Sequence, residues 1–407
     1  MDTQKQENGT EDMRYGRWLW FTVGAVLAMM VMLGGLVVWV DPFFHYHKPL
    51  EHLAYPIDSE RYQNDGISRN FTYDAVLTGT SMMENFKASR FDSLFGVSSV
   101  KIPYAGGYYK EVDQAVKRAL SYNPQVKVVC RSLDRSFLFY QKDQQNPAAP
   151  SPDYLTDDNP FNDVNYIFNK EVIFGTIQGV FARTKAGGQT TTFDEYMHWA
   201  PERDWGREAV LKTYEREPQK NETVPFTEED RRTVMENLEQ NVLATARANP
   251  QVTFYYFIPP YSISWWDSEL MVKGEFERQM EGYRLMARML LECRNIRLFA
   301  FDDQFDITCN LDHYMDVIHY SEDIGDQLLE WMAAGEHMLT NDNVDRYFDR
   351  ITDFYANYDY DSIYESRYVS KSHDSLMTAG QDGVHAVRGR GKPVNIKTEK
   401  ENEHENL

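Results

Sequence analysis

Between Trp18 and Val40 the chain runs for 23 residues without a charge (WLWFTVGAVLAMMVMLGGLVVWV). As a helix rising ~1.5 Å per residue it would reach roughly 34 Å, against a bilayer hydrocarbon core of ~30 Å. Trp18 and Trp20 at one end and Trp39 at the other sit where interfacial aromatic belts form. The run is too long for the apolar part of a cleaved signal peptide, and no small-x-small cleavage site follows it. The pattern therefore predicts a transmembrane helix over 18–40. Beyond it the periodicity changes. Short runs rich in β-branched and aromatic residues predict strands at Tyr73–Leu77, Val100–Ile102, Val126–Cys130, Val252–Ile258 and Ile296–Phe301. Amphipathic stretches at Lys110–Leu120, Thr227–Ala248 and Glu275–Leu291 predict helices between them, the second opened by an N-cap pairing of Thr227 with Asp230. This alternation predicts an α/β domain, a mainly parallel sheet covered on both faces in a three-layer, flavodoxin-like α/β/α arrangement.

The same pattern divides the chain. Arg14 and Arg17 precede the apolar run and Asp41 follows it, before His45, His47 and Lys48. The bias of basic residues predicts a cytoplasmic N-terminus at 1–17 and everything after the helix outside. Residues 41–70 read as a juxtamembrane segment and 71–369 as the extracytoplasmic domain. Within that domain 141–221 breaks the strand–helix rhythm with PAAPSPDYLTDDNPFNDVNY and AGGQTTTF, and reads as an insertion, either a cap over the site or a surface elaboration. After about Ser370 aromatic residues vanish and 370–407 reads as a disordered tail.

Composition narrows the function. The chain has 407 residues, 42% hydrophobic and 14% aromatic, so a large core is available. Its 63 acidic against 42 basic residues give a net charge of -21, which argues against a nucleic-acid partner. Cys130, Cys293 and Cys309 match no metal template; Cys130 reads as a buried thiol, while Cys293 and Cys309 could pair in an exported domain. His45 and His47 would make half a metal site, without a partner cluster. No metal and no cofactor is expected.

The candidate chemistry lies beyond the carboxyl ends of the predicted strands, where ligands gather in open parallel sheets. Gly79-Thr80-Ser81 follows the first strand, Ala105-Gly106-Gly107 the second, and Asp316-Val317-Ile318-His319 the last. Ser81 reads either as a helix cap or as a nucleophile. Asp316 and His319, three apart, share a face in one turn or a tight loop. An aspartate so placed holds the imidazole tautomer while the other ring nitrogen takes the serine proton. Backbone N–H groups of Ser81 and of the Gly106 or Gly107 turn would meet the oxyanion. Arg131 and Asp134, after the third strand, are further candidates at the same sheet edge. Pro259-Pro260-Tyr261-Ser262 with Trp265-Trp266 could line an acceptor groove.

This layout resembles the SGNH hydrolase superfamily over about Tyr73 to Leu329: a serine after strand one, a glycine turn after strand two and Asp-x-x-His in the last block. The anchor and external domain look like its membrane-anchored members, the partners of membrane-bound O-acyltransferases that include the D-alanyl transfer protein of lipoteichoic acid modification. Two positions depart from the pattern. Gly-Thr-Ser stands where Gly-Asp-Ser is usual, and Cys130-Arg131-Ser132-Leu133-Asp134 carries no oxyanion-hole asparagine. The resemblance implies Ser81 as nucleophile, His319 as base and Asp316 as orienter in transfer of an acetyl- or D-alanyl-class acyl group to a cell-surface polysaccharide or teichoic acid, at the cell membrane. It leaves open an extracellular carbohydrate esterase with the same triad and a non-catalytic cell-wall binding module.

Overall fold

The computed structural model describes residues 2–214, 216–220 and 222–364. The N-terminal helix runs Asp2–Val40, and its stretch Gly16–Val40 is long and apolar enough to cross a membrane. The expected N-terminal segment thus continues the same helix.

A central six-stranded sheet has the order β2-β1-β3-β4-β5-β6. Its members are β1 (Ala75–Thr78), β2 (Ser99–Lys101), β3 (Val128–Ser132), β4 (Thr253–Ile258), β5 (Ile296–Ala300) and β6 (Met338–Leu339). The first five pair in parallel, with Val76 beside Val100 and Val129, Val129 beside Phe254, and Phe254 beside Ile296. Strands buried on both faces read as unbroken apolar runs rather than alternating ones; β1 is buried at all four positions. β6 pairs antiparallel with β5. Its two residues give no run to find, and the sequence reading misses it. The chain goes one way from β1 to β2 and the other way to β3, so the switch in strand order falls at the carboxyl ends of β1 and β3. That is where a doubly wound sheet opens a crevice.

Helices form where the amphipathic pattern places them, at Tyr109–Tyr122, Glu228–Leu238 and Phe276–Leu291. Thr227 and Asp230 make the expected reciprocal cap. The predicted helix through Ala248 is interrupted by a π turn at Glu239–Leu243. Such a turn frees carbonyls from the helical ladder, and Asn241 O accepts from Arg131 Nη1 at 2.9 Å.

The insertion 141–221 reaches in two directions. Its Ile167 and Phe168 side chains lie against Gly34 of the N-terminal helix, and Phe181 meets Trp39. Residues 198–205 lie at the carboxyl end of the sheet. Asp41 ties the juxtamembrane turn together: its carboxylate accepts from the backbone N–H of His45, Tyr46 and His47 and from Tyr166 Oη. His45 pairs with Asp163 at 3.4 Å, and His47 is bonded to the carbonyls of Lys48 and Val38. Among the described residues no cluster of three His, Cys, Asp or Glu could hold a metal. All three cysteines are free, so Cys293 and Cys309 do not pair. Asp359 begins a second unit, of which 359–364 are described; the expected tail at 370–407 lies outside the described residues.

Candidate active site

The turn after β1 is built around one close approach. Gly79 has φ +144°, and a Cβ there would stand 2.2 Å from Ser132 Oγ. Only glycine fits that backbone and that space. The turn that follows, Ser81–Met83, is capped by Thr80, whose hydroxyl accepts from Met82 N at 3.3 Å. Thr80 performs the capping that Ser81 could have performed. The Ser81 hydroxyl is left to His319, with Oγ to Nε2 at 2.8 Å.

His319 Nδ1 lies 2.6 Å from Asp316 Oδ2. With that nitrogen donating, Nε2 is the acceptor for the serine proton. Asp316 Oδ1 in turn accepts from the N–H groups of Ile318 and His319 at 2.9 and 2.8 Å. Burial works against the charged carboxyl, but the His319 ring and these two N–H groups outweigh it and hold Asp316 below the usual carboxylate range. Asp316 and His319 sit at the tip of a tight hairpin rather than on a helix. Tyr314 bridges Tyr320, Met315 N bonds His319 O, and Ser321 N bonds His313 O. Ser262 clamps the tip from the end of β4, through its N–H and hydroxyl to Val317 O.

Asp134 lies directly behind the serine turn. Its buried carboxyl accepts from Thr80 Oγ1 at 2.8 Å, Ser132 Oγ at 3.0 Å and Tyr261 Oη at 2.5 Å. Burial raises its pKa, and the three hydroxyls oppose that rise. Its place supports Thr80 and, through it, the position of Ser81.

The other expected members fall elsewhere. Arg131 is buried, and besides the Asn241 carbonyl it bonds Tyr109 O at 3.2 Å and lies over the Tyr109 ring. It holds the π turn to the sheet and turns away from Ser81. The Gly107 N–H is taken by Tyr104 O at 2.7 Å, so it cannot meet an oxyanion. Gly106 has φ +62°, its carbonyl accepts from Asn146, and it does not line the Ser81 cleft. Trp265 and Trp266 form no groove: they are buried, each ring within about 5 Å of the Arg135 guanidinium, which pairs with Asp302.

Their places are taken by residues that sequence reasoning did not single out. Asn85, Trp199, Glu322 and Tyr320 line the cleft with Ser81 and His319. Asn85 Oδ1 accepts from the N–H of Trp199 and of Ala200, at 3.1 and 3.0 Å. That fixes the amide, and among the described residues its Nδ2 donates to nothing. The Ser81 N–H likewise has no acceptor among the described residues. Trp199 stands edge-on to the His319 ring at 5.2 Å, and its indole N–H bonds Glu84. Trp205 lies parallel to it, 6.3 Å away. His198 bonds Glu322 at 2.8 Å, and Lys87 pairs with the same carboxylate. The cleft so closed has about 10 Å³ of free space, about one water. Asn85, four residues past Ser81, could have been suspected from sequence; Trp199, far along inside an irregular insertion, carries no signal of its place.

A serine bonded to an imidazole that is itself fixed by an aspartate can attack an electrophilic carbonyl, because the base takes the proton as the bond forms. No family model matches the chain, and no curated protein matches it. A solved structure from Streptococcus pneumonia, described as a platelet activating factor, aligns with 71% of this chain and 91% of its own, at 11% identity and a TM-score of 0.32.

Proposed function

We propose that this protein is a membrane-anchored, extracytoplasmic serine acyltransferase of SGNH type, with the three-layer α/β/α core of that superfamily. The observation that carries the reading is the line Ser81 Oγ–His319 Nε2 at 2.8 Å and His319 Nδ1–Asp316 Oδ2 at 2.6 Å, standing at the switch point of the sheet. Ser81 Oγ attacks the acyl carbonyl of the donor, and its proton passes to His319 Nε2. The oxyanion is met by the Ser81 N–H and by Asn85 Nδ2. His319 then protonates the leaving group as the bond to the acyl carbon breaks, leaving an ester on Ser81. An acceptor hydroxyl replaces the leaving group, gives its proton to His319 and attacks the ester; the bond between the acyl carbon and Ser81 Oγ breaks, and His319 returns the proton to Ser81. Asn85 stands in for the asparagine missing after the third strand.

The donor route in this reading is a polytopic membrane-bound O-acyltransferase in the same membrane, and the acceptor is a hydroxyl of a cell-surface polysaccharide or teichoic acid. The N-terminal helix supports it by tying the domain to that membrane, N-terminus inside. The test treats the full chain in membranes with a fluorophosphonate and locates the adduct by mass spectrometry. An adduct on Ser81, lost in Ser81→Ala and His319→Ala, is the expected result; a folded protein without one sinks the serine chemistry and leaves a binding module. Acyl-enzyme formed from an acetyl ester is then offered a glycan beside water. Acylated glycan marks a transferase, and free acetate alone marks an esterase.

A further inference from the structure

Outside the N-terminal helix, the described chain exposes seven large apolar side chains, and five of them fall within residues 161–181. Phe161 is 86% exposed, Phe174 64% and Val164 52%, with Phe168 and Phe181 beside them. These residues are not scattered over the surface, as single exposed apolar groups normally are. They belong to the arm of the insertion that packs on the N-terminal helix.

The depth of that contact is what identifies the occupant. Gly34 stands six residues before the end of the apolar helix, ~9 Å along its axis. A Cβ on Gly34 would lie 3.0 Å from Ile167 Cγ2 and 3.7 Å from the Phe168 ring. A glycine there lets the arm come against the helix backbone, as small residues do between helices in lipid. Whatever surrounds the helix at Gly34 also surrounds Ile167 and Phe168. The arm satisfies the other condition for such a place, since lipid offers no partner to backbone groups: it is helical over Val164–Ile167, Val172–Thr176 and Ile177–Lys185. Lys170 and Glu171, at the bend, are 83% and 78% exposed and pair at 3.6 Å. A charged pair there limits the depth to the headgroup–acyl boundary, which a lysine reaches by extending its ammonium toward phosphates.

We propose that residues 161–181 are a second membrane contact, a helical wedge whose phenylalanines lie among phospholipid acyl chains beside the N-terminal helix. The inference rests on the reading of that helix as a membrane span. Since the same insertion carries Trp199 over His319, the wedge would join the site to the membrane surface at a fixed orientation.

The test needs no substitution at first. The full chain is placed in phosphatidylglycerol–phosphatidylethanolamine vesicles without any partner protein and irradiated with an apolar diazirine dissolved in the lipid. Modified peptides are then compared. The expected result is labelling of 161–181 within threefold of that at 18–40, and at least tenfold above that of the helix Glu322–Ala334, which follows the His319 hairpin in the chain. Phe161→Asp with Phe174→Asp should lower the first tenfold and leave the labelling of 18–40 unchanged. Labelling at 18–40 with only background at 161–181 overturns the wedge and leaves the span standing; it is also what a patch reserved for a protein partner would give. Background at both segments overturns the span and the wedge with it.

Discussion

Ser81 is left to His319 because its neighbour takes the structural task. Thr80 caps the turn and bonds Asp134, so the two hydroxyls of Thr80-Ser81 divide into a support and a group bonded to the imidazole. The proposed oxyanion role of Asn85 rests on an Nδ2 that donates to nothing among the described residues while Oδ1 is held by Trp199 and Ala200. Asn85→Asp keeps the acceptor that holds Trp199 and Ala200 but removes the Nδ2 donor, and places a negative charge near the oxyanion. Loss of one such donor costs ~3 kcal/mol of transition-state stabilisation. The acylation rate of Ser81 should therefore fall about 10²–10³-fold with the melting curve little changed. An unaltered rate would leave the Ser81 N–H without this partner. Lys101 makes a second prediction at this scale. It is fully buried, its ammonium bonds the carbonyls of Glu84 and Phe86, and burial pushes its pKa down to about 7 despite nearby carboxylates. Unfolded, a lysine holds its proton to about 10.4. Between those values unfolding takes up a proton, so raising the pH disfavours unfolding, by ~1.4 kcal/mol per pH unit. Chemical denaturation in detergent from pH 7.5 to 9.5 should show stability gained with pH relative to Lys101→Met, which lacks this titration. Parallel curves for the two proteins would refute it.

Among the elements, those that the sequence announces are the ones whose own composition decides them. β1, β3, β4 and β5 are mostly buried and rich in apolar residues, and the helix from Glu228 carries its cap in Thr227 and Asp230. The Asp316–His319 spacing was legible too, since a tight hairpin serves it as well as a helical turn. What was not legible depends on long-range placement. Arg131 turns inward because a π turn 110 residues on frees a carbonyl for it. The glycine turn after β2 spends its Gly107 N–H on Tyr104. Trp265 and Trp266 surround a buried guanidinium that no local pattern reveals. The insertion reads from sequence as either a cap over the site or a surface elaboration, and only its long-range placement shows that Asn85 fastens its Trp199 beside the histidine. The indole stands in a narrow cleft beside Ser81 and His319, where its bulk bears on what can approach the serine. Trp199→Ala should speed labelling of Ser81 by a bulky aryl fluorophosphonate about tenfold and that by a methyl analogue less than threefold. Equal acceleration of both would mean that the indole acts on the His319 ring rather than on access; a slower reaction with both would mean that it orients the base.

For the molecule as a whole, charge bears on which acceptor the proposed reaction would favour. Seven acidic and seven basic residues lie beyond residue 364, so the net charge of -21 resides entirely in the first 364. A domain of that sign repels polyanions over about a Debye length, ~30 Å at 10 mM salt and ~8 Å at 150 mM. Fields of this kind act on the encounter of enzyme and polymer more than on the bound complex. A teichoic acid carries a phosphate in every repeat, whereas a neutral glycan presents hydroxyls alone. If transfer is measured under acceptor-limited conditions, the rate with a polyanionic acceptor should rise several-fold between 10 and 150 mM salt, and the rate with a neutral glycan should stay within about twofold. At low salt the neutral glycan should be the better acceptor. A polyanion whose rate falls as salt is added would reveal a local basic groove that overrides the net charge, and would favour teichoic acid over neutral polysaccharide as the acceptor.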